Sequence, residues 1–258
     1  MRAMILAAGL GTRLRPLTDD RPKALVEIAG HTLLEITLSR LRAFGIGEVI
    51  VNVHHFAELV LQYLQAHDNF GMRIEVSRED VLLDTGGGLK KAAPFFLDRS
   101  HGDSSAAEEP FLLHNVDVLS TIDLGQMVRF HTERGALATL AVQDRATSRY
   151  LLFDEQLQLY GRRSGRDGKT DLARPELAGS PQALTALAFS GIHVVSPRLL
   201  GKMTEEGPFS IITSYLRLAG EGEKILGFRA DEYHWRDLGK PESVTLAAQD
   251  FKDKKISL

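Results

Sequence analysis

The chain has no cysteine among its 258 residues. This excludes disulfides, thiolate metal sites and cysteine nucleophiles together, and it suits a reducing cytoplasm. Any metal must therefore be held by oxygen or imidazole. An excess of one charge is missing too. The 31 Lys and Arg stand against 34 Asp and Glu, for a net charge of −3, so no general field draws nucleic acid or an anionic membrane, and partners must be recognised locally. Nowhere do about eighteen apolar residues run together, as a membrane-crossing helix requires, and no charged-then-apolar leader precedes the first apolar stretch. The expectation is a soluble, unprocessed cytoplasmic protein without nucleic-acid or membrane partners. No two histidines have zinc-ligand spacing, so His54, His55 and His114 read as structural. No heptad or repeat bears on oligomeric state.

The composition, 43% hydrophobic and 25% charged, is that of an ordinary globular protein with a substantial core. An apolar run from Ala3 to Ala8 leads into Gly9-Leu10-Gly11-Thr12-Arg13, with Lys23 close behind. Two glycines and a threonine leave backbone N–H groups free, and Arg13 and Lys23 add two cations, which makes a polyphosphate cradle. The stretch lacks P-loop spacing, and Leu14 stands where the third glycine of a dinucleotide-binding fingerprint belongs.

Beyond the cradle, periodicity predicts a helix over 32–44, a strand over 48–53, a helix over 56–66 and a strand over 73–77. Alternation of this kind implies right-handed crossovers, a mainly parallel sheet with helices on both faces, and ligands at the carboxyl ends of the strands. Asp84-Thr85-Gly86-Gly87-Gly88 reads as a glycine loop before a helix from Leu89, with N–H groups available to a ligand or, alternatively, as a flexible hinge. Ser100 to Glu109 is a low-complexity surface loop. A strand ends at His114-Asn115-Val116-Asp117, which sets Asp117 at the sheet's carboxyl edge, where a cap is the other reading. Further helices are expected over 123–134, 209–218 and 241–251, and further strands over 136–143, 150–160 (two), 184–195 and 224–228. Residues 161–179 read as a long mobile loop that carries function. Gly191 interrupts its strand, suggesting a bulge or close ligand approach.

Two stretches resemble a known family. Leu6-Ala7-Ala8-Gly9-Leu10-Gly11-Thr12-Arg13-Leu14-Arg15-Pro16-Leu17-Thr18 with Pro22-Lys23, and Trp235-Arg236-Asp237-Leu238-Gly239-Lys240-Pro241, are similar to the signatures of the sugar-1-phosphate nucleotidyltransferases. The resemblance implies a single Rossmann-like nucleotidyltransferase domain over 1–258, α/β with a mixed, mainly parallel central sheet and helices on both faces. It implies Mg²⁺-dependent conversion of an NTP and a sugar-1-phosphate to an NDP-sugar and pyrophosphate. In that scheme Leu6, Ala8, Gly9, Gly11, Thr12 and Arg13 bind the triphosphate, and Asp84, Thr85, Gly86 and Gly87 lie on the base side. Asn115 and Gly191 lie on the sugar side, Lys23 bridges the reacting phosphates, Asp117 and Asp237 hold the metal, and Arg13, Lys23 and Asp117 are catalytic.

The family's Glu-Lys-Pro segment is missing from 161–179, leaving Arg162, Arg163 or Lys169 to replace its lysine, or else to be solvated loop charges. The short branch of the family is favoured, with UTP and an amino-sugar phosphate ahead of GTP and a mannose or heptose phosphate. A phosphocholine-type cytidylyltransferase and a catalytically silent nucleotide-sugar sensor remain as alternatives.

Overall fold

The computed structural model describes residues 1–98, 109–173 and 184–256. Strand β1 (Arg2–Leu6) sets the architecture. Ala3 and Ile5 enter one apolar core, and Met4 and Leu6 enter a second. Because successive side chains of a strand face opposite ways, apolar residues at every position require cover on both faces.

A small hairpin of β2 (Glu27–Ile28) and β3 (His31–Thr32) delivers the chain to α1 (Leu33–Ala43), where Thr32 Oγ1 caps the helix by accepting from Glu35 N at 3.1 Å. Next come β4 (Glu48–Val53), α2 (Ala57–Ala66), β5 (Arg73–Arg78), α3 (Asp84–Leu97) and β6 (Phe111–Asn115). Strands β5, β4, β1 and β6 lie side by side, all parallel, and form the centre of the sheet.

After the short β7 (Val118–Ser120), α4 (Leu124–Arg134) leads to β8 (Ala138–Gln143), and β9 (Arg149–Phe153), β10 (Leu159–Ser164) and β11 (Thr170–Leu172) form an antiparallel edge. The eleven-residue β12 (Thr185–Val195) joins the two parts by pairing antiparallel with β6, β8 and β9. Helix α5 (Ile211–Gly220), β13 (Ile225–Arg229), β14 (Trp235–Asp237) and α6 (Pro241–Lys252) follow. Helices α1, α2, α4 and α6 pack on the core that holds Ile5, and α3 and α5 pack on the core that holds Met4. This is the expected mixed α/β sheet, parallel at its centre and covered on both faces.

Three expectations change. Helix α3 begins at Asp84, not Leu89, so the glycines form its first turn. Residues 161–173 are largely strand and not loop: β10 reaches Ser164, and β11 pairs with it through Gly161↔Leu172 and Arg163↔Thr170. Polar side chains hid these strands, since an edge hairpin need not bury both faces. The segment Trp235–Asp237, read as motif alone, is a strand paired antiparallel with β7. Residues 100–108 of the low-complexity stretch, and the 174–179 part of the expected long loop, lie outside the described residues.

Candidate active site

The carboxyl ends of three central strands form the floor. Leu6 pairs in register with Asn52 on β4 and with Asn115 on β6. The cradle leaves β1 at this row. Gly11 has φ +66° and supports the short helical turn 12–14, which buried Leu14 anchors, and Thr18 Oγ1 donates to Gly11 O at 2.9 Å. Among the described residues the N–H groups of Gly9 to Thr12 have no backbone partner. They are the unpaired donors an anion needs.

A cavity of about 440 Å³ opens beside this loop, and Ala8, Gly9, Lys23, Asp84, Asn115 and Asp117 are among its lining residues. Lys23 follows Pro22 and is almost fully buried, with its ammonium donating to Asp117 Oδ2. A second cavity, of about 670 Å³, shares Asn115 and is lined by Arg13, Arg145, Gly191, Trp235 and Asp237 among others. The pairing of β14 with β7 joins the two cavities chemically. Asp237 stands opposite Val118, and Leu238 N donates to Asp117 O at 2.8 Å, which brings Asp237 on β14 beside Asp117 in the turn before β7, two aspartates some 120 positions apart in sequence.

Behind the first cavity's lining residue Asn52, buried Glu79 accepts from Asn52 Nδ2 (2.7 Å) and from Leu83 N (2.9 Å), while Asn52 Oδ1 accepts from Ala7 N (2.7 Å). Glu79 and Asn52 thereby fix the loop that presents Leu82 and Asp84. The glycine run acts by close packing. Gly86 N and Gly87 N both donate to Phe209 O, so these groups do not face a ligand. A Cβ at Gly86 would lie 2.3 Å from the Phe209 ring, and one at Gly88 would lie 2.8 Å from both Asn52 Nδ2 and Glu79 Oε1.

The second cavity is shaped by a bulge in β12, whose register against β8 shifts between Phe189 and His193. At its centre Gly191 has φ +74°, and a Cβ there would lie 2.8 Å from Asn115 Nδ2. The bulge turns two carbonyls toward the cavity wall: Trp235 Nε1 donates to Ser190 O (2.8 Å), and Arg145 Nη2 donates to Phe189 O (2.8 Å). Arg13 approaches from the cradle, with its guanidinium 2.9 Å from where a Cβ on Gly239 would sit, beside Asp237 Oδ1.

Behind Asp117, Arg40 donates to Ser120 Oγ (2.6 Å) and Ile122 O (2.5 Å). Burial lowers its pKa to about 10, so it remains charged. His114 donates from Nδ1 to Asn115 O at 2.8 Å, and burial, with Arg40 beside it, pushes its pKa down to about 3. It is a neutral core group. His54 Nδ1 donates to Glu79 O at 2.8 Å, and His55 is exposed against Phe56.

Of the residues singled out from sequence, Leu6, Ala8, Gly9, Lys23, Asp84, Thr85, Asn115 and Asp117 line the first cavity, and Arg13, Asn115, Gly191 and Asp237 line the second. Gly11, Thr12, Gly86 and Gly87 support the walls without lining them. Arg162 is corrected. It is exposed on β10, ion-paired with Asp171 at 2.9 Å, and lines neither cavity, because strand pairing with β11 commits it to that partner. Arg163 lies over the Tyr150 ring at 5.3 Å. Sequence reading missed Asn52, Glu79 and Arg145. Only the strand-end position of Asn52 signalled any of the three.

Fold and site together define an α/β protein that presents a phosphate cradle, two cations and two aspartates at the carboxyl edge of its sheet. A family model described as nucleotidyl transferase matches residues 2–152. N-acetylmuramate alpha-1-phosphate uridylyltransferase of Caulobacter vibrioides is 35% identical over 253 residues, covering 95% of this chain and 94% of that protein. UTP–glucose-1-phosphate uridylyltransferase of Synechocystis sp. is 29% identical over 99% of this chain, which spans 64% of its length. The crystal structure of a putative glucose-1-phosphate thymidylyltransferase from Bacillus anthracis, in complex with sucrose, has the same fold, with a TM-score of 0.78 at 16% identity over 100% of this chain and 97% of that one. The chain belongs to the nucleotidyl transferase family, among the sugar-1-phosphate nucleotidyltransferases, and is an enzyme of that class. Among the described residues no helix is long and apolar enough to cross a membrane.

Proposed function

We infer that the protein transfers uridylyl from UTP to an amino-sugar-1-phosphate of the N-acetylmuramate-1-phosphate type, in the cytoplasm and as one catalytic domain. The observation that carries the two-substrate reading is the meeting of two cavities at Asn115, with Lys23 and Asp117 on one side and Arg13 and Asp237 on the other. The choice of UTP and of an amino sugar is supported by the near end-to-end match to the Caulobacter enzyme.

The attacking sugar-phosphate oxygen is already anionic, so the reaction needs no protein nucleophile. It needs anions held in line and developing charge stabilised. The free N–H groups of Gly9 to Thr12 cradle the triphosphate, and Arg13 neutralises the departing pyrophosphate. Lys23 exchanges Asp117 for phosphate oxygens and bridges the two substrates, while Asn115 and Gly191 border the sugar. Asp117, in the turn before β7, and Asp237, on β14, offer hard carboxylate oxygens, a donor set that fits Mg²⁺ completed by phosphates and water. When bound, the ion supplies further charge stabilisation at the phosphates.

The test is pyrophosphate release across a panel of nucleoside triphosphates, each with N-acetylmuramate-, glucose-, mannose- and heptose-1-phosphate and with phosphocholine. Turnover is expected with UTP and the N-acetylmuramate phosphate. A preference for GTP with mannose- or heptose-1-phosphate, for CTP with phosphocholine, or no turnover at all would overturn it.

A further inference from the structure

We propose that Arg145 binds the phosphate of the sugar-1-phosphate, a role for which the described residues 161–173 place no cation at either cavity. The inference rests on the two-substrate reading above and assigns within it a residue that neither motif contains.

Arg145 is held as few surface arginines are. Its Cζ lies 3.5 Å from the centre of the Trp235 ring, and Trp235 is itself pinned by Ser190 O and by the pairing of β14 with β7. Nη2 is tied to Phe189 O at 2.8 Å. Both tethers exist because β12 bulges at Gly191. The guanidinium is therefore fixed in plane and in position, and the rotamer entropy that a long side chain loses on binding has already been lost.

The hydrogen bonding is incomplete. Arg145 Nε is buried and has no partner. Stacking occupies one face of the planar group, Nε is shut off from the cavity and Phe189 O takes one Nη2 hydrogen, which leaves Nη1 and the other Nη2 hydrogen for an acceptor in the cavity that Asp237 and Asn115 also line. Burial depresses the pKa and the nearby Asp237 carboxylate opposes the shift. The group is nevertheless a permanent cation at neutral pH. A rigid cation with spare donors beside a two-aspartate site matches a phosphate dianion, whose oxygens accept a guanidinium fork bidentately. The hydroxyls of the sugar ring are weaker acceptors and carry no charge.

Arg145→Gln and Arg145→Lys test the assignment with the full-length enzyme. The KM for the sugar-1-phosphate at saturating NTP is compared with the NTP Kd measured by calorimetry without sugar. For Gln the sugar-phosphate KM should rise about 100-fold, and for Lys, which keeps charge without the fork, about 10-fold. The NTP Kd should stay within about twofold of wild type in both. A sugar-phosphate KM within about twofold of wild type in the Gln variant would overturn the proposal. So would an equal rise in the NTP Kd, which would mark Arg145 as a clamp for β14. Should the Gln variant not fold, the Lys variant decides by the same criterion. Wild-type enzyme inactive on every sugar-1-phosphate overturns the functional reading and this one with it, a result distinct from a normal KM in an active variant.

Discussion

Lys23 and Asp117, 94 residues apart, form an ion pair in which the side chains are only 10% and 16% exposed. The cradle and the carboxyl edge of the sheet meet there. Each residue is the other's principal charged partner, so each substrate or metal that binds must compete with a contact already made. Lys23→Ala and Asp117→Ala should each lower pyrophosphate release by at least about 100-fold, the scale of losing one transition-state charge contact. The far-ultraviolet circular dichroism should remain native. Near-normal release by either variant would remove both residues from the chemistry.

How much of this was legible beforehand depends on whether the controlling interaction is local. The cradle is contiguous, so Gly9 to Lys23 announced phosphate binding directly. β1, β4 and α1 announced themselves by hydrophobic period. The positions of Asp117 and Asp237 were legible as motifs, but the β7–β14 ladder that unites them was not, because three-residue strands have no measurable period. The glycine run misled, because a glycine that admits a ligand and one that admits the Phe209 ring look alike in sequence. Glu79 and Arg145 were invisible for a related reason. Each matters through partners more than 25 residues away, Asn52 for one and Trp235 for the other. In sequence Arg162 is one cation in a charged stretch, and nothing there shows that Asp171 across the hairpin already pairs with it.

The packing account of the glycine run separates Gly86 from Gly9. A methyl on Gly86 meets the Phe209 ring and backbone, whereas nothing lies within 4 Å of one on Gly9. Overpacking of a fixed backbone contact costs about 1–3 kcal/mol. Gly86→Ala should lower the unfolding midpoint in urea by a corresponding amount, and Gly9→Ala should leave it unchanged. Equal midpoints for the two variants would contradict the packing account.

Glu79 is a buried carboxylate that accepts from two neutral donors, Asn52 Nδ2 and Leu83 N. Glu79→Gln replaces one acceptor oxygen with a donor that must face one of those N–H groups, leaving a buried clash of donors that costs about 1–3 kcal/mol. The loop carrying Leu82 and Asp84 would loosen, and the NTP Kd should rise about 10-fold. The sugar-phosphate KM should not move, since the second cavity contains neither residue. Calorimetric titration of NTP against the variant checks the first point and initial rates the second. A rise confined to the sugar-phosphate KM would reverse the assignment of the two cavities.

Acid should weaken the fold through its buried histidines. Burial above all lowers the pKa of His114 and His193 to about 3 and that of His131 to about 4. The unfolded chain binds these protons near pH 6.5 and the folded chain does not, so the stabilisation is complete above that pH and is lost as pH falls toward the folded values. At about pH 5 the loss is about 2 kcal/mol for each histidine. His193 offers a clean test, because its Nδ1 shares a hydrogen bond of 2.9 Å with the buried Tyr215 hydroxyl. His193→Gln keeps an acceptor there and removes the titration. Urea unfolding of wild type should therefore show a larger drop in stability between about pH 7.5 and about pH 5 than the variant shows, by about 2 kcal/mol. Identical drops would mean that His193 is protonated in the folded protein or exchanges its proton on another path, and would remove it from the acid response.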